Sequence, residues 1–220
     1  LKLLRMLEDI TGEELKRQFK SNKVLRYVTI GVGILVIAIL GYLLYRQFVW
    51  KPANEKSKNS YWEGLNFAAK DSTDMAIDLL RVEAKKYDGK VGGEVAQFVL
   101  GRQLMNKKDY TGAIKELEGV DVEDTYVSIL AVGLQADCLS EMKKYEDAAN
   151  MYLKAADMLE NELTTPMYLM KAGLCAEEIK NFPKATECYQ RIADDFLGYA
   201  GQVQIEKFIA RTANKKVGKK

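Results

Sequence analysis

Histidine is absent from the 220 residues. That removes the commonest general base and metal ligand at neutral pH, and with it catalytic triads, dyads and most zinc chemistry. Cysteine is scarce: Cys138, Cys175 and Cys188 are odd in number and form no CxxC pair. They read as small buried hydrophobes in helices rather than as ligands or a disulfide framework. Three unpaired thiols fit a reducing compartment slightly better than an oxidising one. Proline occurs three times, too seldom for a long disordered linker. An excess of one charge is lacking as well, since 33 basic and 31 acidic residues leave only +2. No field of that size recruits nucleic acid, and no cofactor is expected.

What the chain does have is one long apolar run. Val28–Tyr45, VTIGVGILVIAILGYLLY, is eighteen residues without an ionisable side chain. As a helix it is about 27 Å long, close to the thickness of a bilayer's hydrocarbon core. Arg26 and Tyr27 on one side, and Tyr42, Tyr45, Arg46 and Trp50 on the other, are residues that anchor at membrane interfaces. A core helix of this length would show a polar face. A signal peptide would show a shorter run and a small-x-small cleavage site, which Gly41–Tyr45 does not supply. Residues 24–50 therefore read as an uncleaved transmembrane helix, with Ile34, Ile37, Leu40 and Leu44 contacting lipid.

Residues 1–23 form a leader. Leu3, Leu4, Leu7 and Ile10 share one helical face, and Thr11-x-x-Glu14 is a capping box opening a second helix with Leu15 and Phe19. The chain begins at Leu1 rather than Met, so preceding residues are expected. Lys16, Arg17, Lys20, Lys23 and Arg26 stand before the anchor, against Arg46, Lys51, Lys56 and Lys58 after it. This small bias leans toward a cytoplasmic leader and a large domain on the other side.

The rest of the chain is periodic. Gly64, Gly101, Ala136 and Gly173 are spaced 37, 35 and 37 residues apart. Twelve residues after each stands Ala76, Ala113, Ala148 or Ala185, and sixteen after each stands Leu80, Leu117, Tyr152 or Tyr189. Three before each alanine sits Thr73, Tyr110, Tyr145 or Phe182. Such columns predict an all-α stack of helical hairpins, in which the small residues let two helices cross closely and each hairpin covers the apolar face of the next. Residues 51–90 are a spacer helix and a degenerate first repeat, with Thr73 in the aromatic column. Residues 91–197 hold three full repeats, residues 198–213 a closing helix, and residues 214–220 a basic tail.

First helices of such a stack are expected to line its concave face. The candidates for binding a partner there are Tyr61, Val95, Phe98, Arg102, Met105, Asp137, Met167 and Met170. This apolar, methionine-bearing set suits an extended hydrophobic segment or an amphipathic helix. The alternative is that the same side chains pack between neighbouring hairpins. Acidic pairs such as Glu177-Glu178 lie on helices with no evident cleft, so no enzyme is expected.

The columns resemble the tetratricopeptide repeat, and best in Ile129–Asp157, with its KYEDA at Lys144–Ala148, and in Pro166–Phe196. The order of leader, single anchor, spacer and repeats is similar to the membrane-anchored tetratricopeptide proteins of the YfgM type, ancillary subunits of the bacterial SecYEG translocon. Thr164–Tyr189, TTPMYLMKAGLCAEEIKNFPKATECY, looks like the corresponding repeat of Bacteroidota members. The resemblance implies a helix beside the protein-conducting channel in the inner membrane and a periplasmic repeat domain. It also implies as partners a membrane-anchored folding factor resembling a prolyl isomerase, and exported clients. Two alternatives stand beside it: a receptor with its repeats in the cytosol that reads targeting segments, and a generic envelope-assembly adaptor.

Overall fold

The computed structural model describes residue 17, residues 20–122 and residues 124–217. The expected leader helices, including the face of Leu3, Leu4, Leu7 and Ile10, fall almost entirely outside the described residues. Among those described, every regular element is a helix. The chain divides into two compact units, and the second begins at Asn54.

The first unit is built on α1, Lys23–Tyr45, whose end passes into a wider π-wound turn at Arg46–Trp50. This helix is long and apolar enough to cross a membrane. Ile34, Ile37, Leu40 and Leu44 are all exposed. A core helix of a soluble protein would bury such residues, and a helix this apolar on every side is stable only in an apolar surround.

Helix α2, Lys51–Ser57, leads into four hairpins: α3 and α4 (Trp62–Ala69, Thr73–Lys86), α5 and α6 (Val91–Asn106, Tyr110–Glu118), α7 and α8 (Thr125–Glu141, Tyr145–Met158), and α9 and α10 (Thr164–Glu178, Phe182–Asp195). Helix α3 is the shortest of the four first helices, at eight residues. Each sequence column has a structural meaning. Thr73, Tyr110, Tyr145 and Phe182 are the first residues of the second helices. The alanine column is fully buried at all four positions.

The small residues act differently from expectation. Each glycine of that column faces the bulky residue sixteen positions on, rather than the alanine. A Cβ on Gly64 would come within 2.7 Å of Leu80, and one on Gly101 within 2.6 Å of Leu117. One on Gly173 would overlap the Tyr189 ring. The hairpin closes because a large side chain from the second helix lies flat on bare backbone of the first. Leu80, Leu117 and Tyr189 are consequently almost wholly buried. Each such burial stabilises the fold by about 1.5–3 kcal/mol.

Two core clusters run through the stack, and α7 joins them. Ile129 and Ala136 pack into the C-terminal cluster, while Cys138 packs into the N-terminal one. Charged bridges repeat the period. Lys171 donates to Asp137 at 2.7 Å and Arg191 to Asp157 at 2.7 Å, in each case 34 residues apart.

The turns inside the hairpins share one geometry. Asp71, Lys108, Lys143 and Lys180 have φ between 56° and 62°, each seven residues beyond its small-column residue. The following amide closes the helix end, as where Lys144 N donates to Leu139 O at 2.9 Å and Asn181 N to Ala176 O at 2.8 Å. This left-handed cap is a glycine preference that the sequence fills with lysine and aspartate. Lys143→Gly is therefore expected to raise stability by about 0.5–1 kcal/mol. Urea unfolding of the full chain checks it, and a loss of stability would contradict it.

Beyond the fourth hairpin the structure corrects the sequence reading. In place of one closing helix there are two, α11 (Leu197–Val203) and α12 (Glu206–Val217), broken at Gln204 with φ 53°. The expected solvated tail also begins too early, since Asn214–Val217 is the last turn of α12. Helix α12 packs on α10 much as α9 packs on α8, with Phe208 against Tyr189 at 5.4 Å between ring centroids and Thr186 hydroxyl bonded to Thr212 hydroxyl at 2.8 Å.

Candidate interaction surface

The first helices α3, α5, α7 and α9 carry the candidate binding residues, and most of them are spent on the domain itself. Tyr61 caps α3, stacks on Trp62 at 5.2 Å and packs against the N-terminal core with Val95, Phe98 and Met105, all half-buried. Met167 and Met170 pack in the same way against the C-terminal core. Arg102 is exposed. Packing between hairpins thus accounts for the apolar members of the set, because the methionine and aromatic spacing that suits a partner also suits a neighbouring helix.

Asp137 is occupied from within. Its carboxylate accepts the Tyr152 hydroxyl at 2.5 Å and the Lys171 ammonium at 2.7 Å. That ammonium lies 5.5 Å from the centroid of the Tyr152 ring, which Tyr168 stacks at 6.1 Å. Burial first, and then the neighbouring Asp137 charge, pushes the Tyr168 hydroxyl up to about 12; Tyr152 moves in the same direction. Both phenols stay protonated, and Tyr152 donates its hydrogen to Asp137. The group is a brace between the third and fourth hairpins rather than an open site for a charged partner.

Open cavities among the described residues flank the stack. One, about 590 Å³, lies at its C-terminal end among Leu174, Glu178, Phe182, Arg211 and Lys215. Leu174 is 40% exposed there. Glu177, at the back of this cavity, accepts the Tyr189 hydroxyl at 2.9 Å together with the Arg211 guanidinium. The second, about 430 Å³, opens between α6 and α8 and has α7 behind it. Sequence columns could not show it, because it depends on which second helices leave a gap.

The cysteines are all unpaired and buried, as their sequence contexts predict. Burial pushes the Cys138 and Cys188 thiols up to about 11, and raises that of Cys175. A raised thiol carries little nucleophilic thiolate at neutral pH. Iodoacetamide at pH 8 should therefore modify the folded chain at least about a hundredfold more slowly than the urea-unfolded chain. Comparable rates would contradict this. Among the described residues no group of three or more metal-ligating side chains gathers. No protein-family model matches the chain, and no curated protein matches it closely enough to count as a relative.

Proposed function

We propose that the chain is a membrane-anchored helical-repeat scaffold that binds other proteins without turnover, as an ancillary subunit of a Sec-type translocon. In this reading α1 crosses the inner membrane beside the channel, with the leader in the cytoplasm and the repeats in the periplasm. There the repeats hold a membrane-anchored folding factor of the prolyl-isomerase kind, or exported clients as they emerge. Fixing the domain at a channel exit raises its effective concentration near emerging chains, so modest affinity suffices.

The observation that carries the reading is the pairing of an apolar, fully exposed helix with a separate stack of hairpins. The first needs lipid or protein around it. The second is an architecture that offers extended surface to polypeptides. The resemblance of the columns to tetratricopeptide repeats supports the choice of partner class.

Photo-crosslinkers placed singly at Ile34, Ile37, Leu40 and Leu44 in growing cells test it. The proposal expects adducts with channel subunits from one side of α1. Adducts with lipid alone would reduce the protein to a generic envelope adaptor. Protease added after outer-membrane permeabilisation should digest the repeats. Their survival would favour the receptor with its repeats in the cytosol.

A further inference from the structure

The cavity between α6 and α8 contains a residue the fold does not explain. Gln135 on α7 stands one position before Ala136 of the small-residue column. The same register holds exposed Glu63 in the degenerate first repeat, but Leu100 and Ala172, both fully buried, in the full repeats on either side. Gln135 is only 6% exposed, yet its carboxamide has no hydrogen-bond partner among the described residues. Nor is it sealed in, for the fully enclosed unpartnered side-chain atoms are Ser60 Oγ and Glu83 Oε2 alone among those described. Gln135 is one of the residues that line the cavity. A largely buried carboxamide is costly unless something in the cavity pairs with it, whereas an apolar residue here would match the two neighbouring full repeats.

Around that amide the walls are apolar. Ile114 comes from α6, Leu139 from α7 and Met151 from α8, each half-buried. The rim carries Glu118 and Asp147 against Lys154. At about 430 Å³ the space falls within the range of small-ligand clefts. Water alone could satisfy the amide but would wet three apolar side chains. A carboxamide presents one donor edge and one acceptor, the complement of a peptide unit. The gap between α8 and α10, one repeat further on, is spanned instead by Lys184 to Asn150 at 2.5 Å and by Arg191 to Asp157.

We infer that this groove is a second binding site, distinct from the first-helix face, for an extended segment of another polypeptide. An aliphatic side chain of that segment fills the space between Ile114, Leu139 and Met151. The adjoining backbone amide pairs with Gln135. The site does not depend on the translocon reading, because the groove would take such a segment whichever side of a membrane it faces.

Acetyl-Leu-Leu-amide is the probe, titrated into the full chain in detergent micelles with isoleucine, leucine and methionine methyls labelled for NMR. The inference expects saturable shifts at Ile114, Leu139, Met151 and the Gln135 side-chain amide, while Met105 on the first-helix face stays still. Gln135→Leu should melt at a higher temperature than the parent and bind the probe at least about tenfold more weakly. Shifts spread evenly over the methyls would overturn the inference, as would a silent Gln135 amide. Equal affinity in the Gln135→Leu chain would also overturn it. Should that variant fail to fold, the methyl map of the parent chain decides alone.

Discussion

Gly92→Ala is expected to destabilise the repeat domain by about 3 kcal/mol, a fall of roughly 6–12 °C in melting temperature. Glycine is required here for close approach. A Cβ at this position would overlap the Ser57 backbone carbonyl, which is main chain and cannot rotate away. The contact is part of a small lock. Gly92 N donates to Ser57 Oγ at 3.0 Å, Val91 N donates to Asn54 Oδ1 at 2.9 Å, and Ser57 Oγ donates to Asn54 O at 2.7 Å. These bonds satisfy the first free amides of α5 with side chains of α2, so the entry helix caps the first full repeat. Any side chain at residue 92 drives the two apart and strands those donors. Thermal melting of the full chain in micelles by circular dichroism measures the effect, and a change below about 1 kcal/mol would refute the packing argument.

Glu177→Ala should have the second largest effect, a loss of about 2–3 kcal/mol that falls on the end of the stack. The Glu177 side chain is only 10% exposed and gathers Tyr189, Arg211 and Lys215. Removing the carboxylate leaves the hydroxyl of fully buried Tyr189 without its acceptor, and leaves two cations of α12 facing each other. Helix α12 covers the apolar face that the fourth hairpin would otherwise expose, so its release also uncovers Phe208 and Ile209. Hydrogen exchange should show α12 amides losing protection well before those of α7 and α8. Uniform protection in the variant would mean that apolar contact alone holds the cap.

Much of this architecture is legible in the sequence because repetition multiplies weak signals. A lone Gly-x₁₁-Ala spacing says little, but four copies at 35–37 residues locate both helices of every hairpin. The long apolar run is equally plain, since its length and lack of charge leave few places for it except lipid. Three things were hidden. The turn lysines gave no hint of their left-handed conformation, because the usual marker is glycine. The break at Gln204 lacks any glycine or proline at the kink itself, so residues 198–213 pass for one helix and residues 214–220 for a tail.

The binding face was the third. Helical spacing tells which residues share a side, but not whether a partner or the next hairpin covers that side. Phe98, Met105, Met167 and Met170 turned out to be packed by their own domain. Gln135 was readable in principle, as a polar residue in a register held by Leu100 and Ala172. Only the packing shows that it lines a cavity without a hydrogen-bond partner among the described residues.

A membrane-anchored scaffold requires α1 to lie within a bilayer. Membranes from cells making the full chain, extracted with sodium carbonate at pH 11, test that most directly. The chain should stay with the membrane pellet, and a chain lacking residues 23–45 should go to the supernatant. Release of the full chain into the supernatant would show that α1 is covered by protein rather than lipid, and would remove the basis for a membrane-anchored scaffold.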